Sequence, residues 1–311
     1  MIIDHLYGSF QLEPVLEELL TSPPVQRLKK VHQGGANFLV NKRWNNTRYE
    51  HSVGVMLLIR KLGGGLPEQT AGLLHDVSHT AFSHVADYVF RYAAEDFHEK
   101  SFEQIVRQSA IPAILAKHAL DLEDILHTAW PLLEQPLPLL CADRIDYTLR
   151  DLHHTGVITL QEAQQFVSDL VVADNQIVLR QLASAEWFTQ IYFRLVFEYF
   201  QHPLSLHVNN LLSMALRKAY TTGSIAEEDF FLDDFTLLVK LLQQDNQLVQ
   251  QLLQAIAEGA PAETIIHYTQ KQRVIDPPVL VAGKVVQASA LSAVVAKEIS
   301  RAKQLYSNVV P

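Results

Sequence analysis

Histidine and aspartate are the side chains that together satisfy a borderline or hard divalent cation, and a few of each leave coordination positions open for water and substrate. The stretch RYEHSVGVMLLIRKLGGGLPEQTAGLLHDVSHTAFSH, residues 48–84, sets three such groups into apolar, helix-forming sequence: His51 near the start of one run and the adjacent His75-Asp76 pair at the end of a second. A distant carboxylate must complete the set. Asp143, inside CADRIDYTLRD, is the best candidate, and Asp146 is its rival. Taken singly, each residue reads more easily as an ordinary polar group at a helix end. Their joint appearance as H, HD and D in apolar sequence reverses that.

The elements that must position these groups are mostly helices. Residues 13–20 and 25–33 form an entry, after a short extended start with a glycine turn. The polar run ANFLVNKRWNNTR is expected to be a surface loop that delivers Arg43, Trp44 and Arg48 above His51. A buried helix follows over residues 49–62 and stops at three glycines. A second starts at Pro67, and a long helix carries LLCADRIDYTLRDLHHTG. In the second half, VVADNQIVLR reads as a hairpin turning at Asp174-Asn175, and VLVAGKVVQASA as one or two strands. Between and after them lie helices over 184–200, 204–220, 235–258 (broken near Asp245) and 289–308. The fold class expected is mostly α: a helical core over residues 1–160, with helices and a small β element over 161–311 packed on it as one unit.

The chain has 311 residues and a net charge of -9, which argues against a nucleic-acid coat or a polybasic membrane contact, since both need clustered Lys and Arg. No apolar run reaches the roughly 18 residues that a membrane span needs. The residues after Met1 lack a basic start with an apolar core, so a cytoplasmic location is expected. Cys141 is the single cysteine and reads as a small buried residue.

The segments RYEHSVGV, AGLLHDVSHTAFSHVAD, FHEKS and DRIDYTLRDLHHTG, in that order, resemble the HD-domain metal-dependent phosphohydrolases. They are most similar to the deoxynucleoside triphosphate triphosphohydrolase branch, which includes the SAM-and-HD-domain enzymes. The resemblance covers residues 24–156 well and the second half weakly. It implies one divalent ion (Mn, Fe, Ni, Zn or Mg) on His51, His75, Asp76 and Asp143. His79, His84 and His98 then resemble active-site histidines that contact the phosphate or move protons with Asp76, and Glu99 could orient His98 or tune its pKa. Arg48 takes the place of a phosphate-contacting arginine, with Arg144 a weaker candidate. Tyr147 and Asp151, each one helical turn beyond the last from Asp143, resemble the pair that reads the sugar.

Two departures bear on the substrate. His32 occupies the place of a nucleotide-contacting glutamine, and Val208, Asn209 and Asn210 stand where basic residues for the β and γ phosphates are usual. The activity implied is hydrolysis of a nucleotide, at best a dNTP to deoxynucleoside and triphosphate. A nucleotide phosphomonoesterase or phosphodiesterase and a non-catalytic metal-bearing regulator are the alternatives. Partners are confined to a phosphoester substrate and a possible second copy of the chain.

Overall fold

The structure, a computed structural model, describes residues 1–259 and 271–309. At its centre is the helix Arg48–Lys61, which starts at a reciprocal cap: the Thr47 hydroxyl accepts from Glu50 N, and the Glu50 carboxylate accepts from Thr47 N. Every residue from His51 to Ile59 is buried, so this helix has no solvent face to speak of. It is clasped by the helix Leu66–Leu74 on one side and the helix Ala142–His154 on another. Burying Leu57, Leu58 and Ile59 completely contributes on the order of 2 kcal/mol for each side chain.

The chain is mostly α-helical, as expected, with irregularities that the sequence pattern hides. The run IPAILAKHALDLEDILHTAW divides into helices Ile111–Lys117 and Leu122–His127, with Ala119 at φ 56 marking the break. The expected surface loop after Gly35 contains a short helix, Asn37–Val40. The helix Leu182–Leu195 passes into a π-helical turn over Val196–Phe200, and the helices Pro203–Thr221, Asp234–Leu242 and Gln247–Glu258 follow.

Strands β1 (Ile2–Asp4) and β2 (Gly8–Phe10) pair antiparallel at the N-terminus. Strands β3 (Leu170–Ala173) and β4 (Gln176–Leu179) form the hairpin read from Asp174-Asn175, whose φ values of 50 and 58 are those of a tight two-residue turn. Strands β5 (Pro278–Val281) and β6 (Lys284–Gln287) make a second hairpin. The two hairpins join through the parallel pairing of Leu179 with Val279, giving one sheet in the order β3-β4-β5-β6. This pairing carries the segment after residue 270 against the core, where Ile275 is fully buried.

Candidate metal centre

Three elements bring the acidic and imidazole groups together. The first turn of Arg48–Lys61 supplies His51, the end of Leu66–Leu74 supplies His75-Asp76, and the first turn of Ala142–His154 supplies Asp143. His51 Nε2 lies 3.0 Å from Asp143 Oδ1 and 3.8 Å from Asp76 Oδ2. His75 Nε2 lies 3.4 Å from Asp76 Oδ1 and 3.6 Å from Asp143 Oδ1. Neighbouring donors held about 2.1 Å from one ion stand about 3 Å apart, so the nest has the dimensions of a coordination shell.

The chemistry of the donors fits a divalent ion as well. His75 Nδ1 donates to Gly72 O at 2.8 Å, which leaves Nε2 as the lone-pair nitrogen, and that atom is buried without a hydrogen-bond partner. Burial pushes the Asp143 carboxyl up, but the His51 and His75 rings beside it outweigh burial and hold the group far below the usual carboxylate range. For Asp76, burial is outweighed by Arg48, His75 and His79, with the same result. Two carboxylates kept ionised beside two imidazoles make a site for positive charge.

Asp146, the rival for the fourth position, sits behind His51 instead. Its Oδ1 accepts from His51 Nδ1 at 2.8 Å, while Tyr7 Oη and the Arg150 guanidinium donate to it from the other side. This carboxylate fixes the tautomer that turns His51 Nε2 toward Asp143. Its close fit needs Gly54, because a Cβ there would lie 2.0 Å from Asp146 Oδ2.

Beside the nest stand the three histidines. His79 Nε2 is 3.3 Å from Asp76 Oδ1, its ring stacks on His98 with centroids 3.8 Å apart, and His84 meets both rings edge-on. Burial, Arg48 and His98 hold His79 well below its ordinary value, and burial reinforced by His84 takes His98 down to about 3. Both rings are therefore neutral near pH 7. His84 Nδ1 is held by Asp87 Oδ2 at 3.0 Å. Nδ1 of His98 is buried without a partner, so Glu99 does not bond that nitrogen; its carboxyl lies on the cavity wall, pushed up by burial and by Glu134.

The nest opens into a cavity of about 670 Å³. Arg48 lines it while donating through Nη1 to Asp76 Oδ2 at 2.8 Å and through Nε to Ser83 Oγ at 3.0 Å. Asp143, Tyr147 and Asp151 line it along one helix, and Asn46 Nδ2 donates to Asp151 Oδ1 at 2.7 Å. Arg144 also reaches the wall, but its guanidinium is engaged by the carbonyls of Leu139 and Gln135.

His32 does not belong to this wall. Asp234 Oδ2 accepts from its Nδ1 at 2.7 Å and from its backbone N–H at 2.8 Å, and the ring stacks on Phe38, which turns it away from the cavity. The neighbouring Gln33 faces the cavity instead, with Oε1 buried and without a hydrogen-bond partner. In the VHQGG run it is thus the glutamine one position after His32 that meets the cavity. Asn209 also lines the cavity, its amide tied to Ala36 N at 2.8 Å, Asn37 Oδ1 at 3.1 Å and Ser205 O at 3.0 Å. Glu95 and Arg273 face it too, and neither carried a sequence signal, because the cavity joins segments far apart in the chain.

No described helix is long and apolar enough to cross a membrane. Residues 48–151 match the HD domain. The chain is 46% identical over 303 residues to the uncharacterized protein YdhJ of Bacillus subtilis, covering 95% of this chain and 93% of that one. It is 32% identical over 291 residues to the metal-dependent phosphohydrolase cns2 of Cordyceps militaris, covering 90% of this chain and 84% of that one. The deoxynucleoside triphosphate triphosphohydrolase SAMHD1 of Danio rerio is more distant: 27% identity over 217 residues, 53% of this chain and 35% of the relative. Among solved structures, a hypothetical protein from Aquifex aeolicus shares the fold with a TM-score of 0.73 at 22% identity, covering 95% of this chain and 92% of that one. A nest of two imidazoles and two carboxylates built around an HD pair, in a chain that aligns with a metal-dependent phosphohydrolase over 90% of its length, places this protein in the HD-domain metal-dependent phosphohydrolases, a superfamily of hydrolases.

Proposed function

We propose that this protein hydrolyses the bond between phosphorus and the 5′ oxygen of a nucleotide, by the dNTP triphosphohydrolase reaction that yields a deoxynucleoside and triphosphate. The observation that carries the reading is the stripe of Asp143, Tyr147 and Asp151 along one cavity wall. Four helical residues advance by about 6 Å, the scale of a nucleoside sugar. A phosphate set at Asp143 therefore puts its sugar beside Tyr147 and Asp151, and the bond between the two is the one exposed to attack.

In this reading His51, His75, Asp76 and Asp143 would hold the divalent ion, which supplies Lewis acidity to a phosphoryl oxygen and activates a water. Arg48, kept in place by Asp76 and Ser83, offsets charge that develops on the phosphate. Neutral His79 and His98 wall the site. His84, whose ring Asp87 fixes from behind at Nδ1, is the group in this reading that gives a proton to the leaving 5′ oxygen. Tyr147 and Asp151 bear on the sugar, and Gln33, with its unpartnered Oε1, is suited to a sugar hydroxyl or base N–H.

A second reading, hydrolysis of a nucleoside monophosphate at the same bond, is favoured by the neutral amides of Asn37 and Asn209 on the cavity wall. Product analysis on metal-loaded protein with dATP, AMP and a cyclic nucleotide separates the two. Intact inorganic triphosphate from dATP is the expected result, and orthophosphate from AMP alone selects the second reading. Absence of turnover of every nucleotide by protein that retains its metal overturns both.

A further inference from the structure

Three arginines line the cavity, and they differ in what holds them. Arg48 is bound to Asp76 within the metal nest, and Arg144 is bound by backbone carbonyls. Arg273 is different: its guanidinium pairs with the carboxylate of Glu95, and both members of this pair stand on the cavity wall. Phe200 lies under the guanidinium with its ring centroid 5.6 Å away, so the flat cation rests on an apolar platform with its hydrogen-bonding edge presented sideways.

Both partners are fixed by the fold. Arg273 donates its backbone N–H to Tyr306 Oη at 2.9 Å, Ile275 two residues on is fully buried, and Asp276 N donates to Pro138 O at 3.1 Å. Glu95 sits in the left-handed region at φ 57, with its N–H on Tyr92 O at 3.1 Å, a conformation that a non-glycine residue adopts only when its surroundings impose it. The side chains of Arg273 and Glu95 are 18% and 5% exposed, so the charges are sheltered and compensate one another. A carboxylate holding an arginine on a cavity wall keeps the guanidinium shaped for a tetrahedral oxyanion, which it can bind through two parallel N–H donors.

We propose that Arg273 and Glu95 form a second anion subsite of the cavity, where the guanidinium exchanges the Glu95 carboxylate for oxygens of a substrate phosphate other than the one being cleaved. The ligand class is an oligophosphate chain, and Glu95 is the internal counter-ion that the chain displaces. The name of the ligand rests on the hydrolysis proposed above. The subsite supplies the positive charge that the neutral Asn37 and Asn209 on the cavity wall do not.

Binding of inorganic tripolyphosphate and of orthophosphate to metal-loaded protein, measured by calorimetry without turnover, tests the subsite independently of the reaction. Arg273→Gln is expected to weaken tripolyphosphate by about tenfold, the weight of one charge-assisted contact, while orthophosphate changes far less. Glu95→Gln is expected to act in the opposite direction and tighten tripolyphosphate, because the competing carboxylate is gone and the arginine remains. Arg273→Lys is expected to recover part of the loss. If Arg273→Gln does not fold, the doubly neutral Glu95→Gln/Arg273→Gln protein, which buries no unpaired charge, carries the same expectation of weakened binding. The proposal is overturned if both single variants weaken tripolyphosphate alike, as a purely structural ion pair would require, or if neither variant changes it. Because the ligands are inorganic, failure of the proposed hydrolysis leaves this outcome readable.

Discussion

Asp146 holds His51 from behind: its Oδ1 accepts a hydrogen bond from Nδ1 at 2.8 Å, and this sends Nε2 toward Asp143 and Asp76. The carboxylate is in turn gripped by Tyr7 and Arg150, so a hairpin residue near the N-terminus and a helix residue near 150 both bear on the geometry of one imidazole. Asp146→Asn keeps the shape but can present an N–H to Nδ1, which favours the wrong tautomer. Metal affinity is expected to fall about 10- to 100-fold, read by titration of the metal-free protein. Unchanged affinity contradicts the buttress.

Gly54 tests the same contact through backbone space alone. A methyl group there would lie 2.0 Å from both Asp146 Oδ2 and Arg150 Nη2, and the helix on which Gly54 sits is buried along this length, so neither side can yield cheaply. Gly54→Ala is expected to cost about 1–3 kcal/mol in urea denaturation and to lower metal occupancy together with it. A variant of wild-type stability that holds its metal would show that Asp146 has room to move.

The stacked histidines set a pH dependence of stability. Burial, with His84 adding to it, takes His98 down to about 3, against about 6.5 in an unfolded chain. Between those values the unfolded chain binds a proton that the folded chain refuses. Stability is therefore fully present above the unfolded value and is lost as pH falls below it. This residue removes up to roughly 1.4 kcal/mol per pH unit on acidification, and His79, lowered by burial, Arg48 and His98, acts with the same sign. Denaturation curves between pH 7 and 5 are expected to have a shallower pH slope for His98→Asn than for wild type. An identical slope means that His98 is not the neutral, buried ring described here.

Much of this site was legible because its donors lie in contiguous motifs. His51 and His75-Asp76 are tied to apolar helical runs, and Asp143, Tyr147 and Asp151 to a single helix whose periodicity sets their common face. Asp146 was visible only as a rival ligand, since spacing cannot say which of two carboxylates three positions apart on a helix faces His51 Nε2 and which faces its Nδ1 from behind. His32 went to the wrong side for the same reason: a one-residue shift in a glycine-rich turn changes which side chain meets the cavity, and Asp234, 202 residues away, decides it. The hairpin at Asp174-Asn175 could be read from its turn, but its parallel union with β5 could not, because no local pattern encodes a pairing between Leu179 and Val279. Glu95 and Arg273 owe their meeting to that long-range packing.

In the proposed reading, Tyr147 bears on the choice of sugar. Its ring lies 6.1 Å from Phe200 and 6.4 Å from His51, between the aromatic wall and the metal nest. Tyr147→Ala is expected to reduce the preference for dATP over ATP, taken as the ratio of kcat/KM values, by about tenfold or more, while metal content stays intact. A variant that loses activity on both nucleotides equally argues for a general structural role of the ring.

The central claim is that Asp143, delivered by a separate helix, closes the metal nest and makes it a hydrolytic site. The most direct measurement compares bound metal and nucleoside release from dATP in wild type and Asp143→Ala, before and after chelation and metal add-back. Wild type is expected to lose activity on chelation and regain it on add-back, whereas Asp143→Ala holds little metal and releases no nucleoside under any condition. Wild-type rates from Asp143→Ala, or activity in wild type that survives complete removal of the metal, would contradict it.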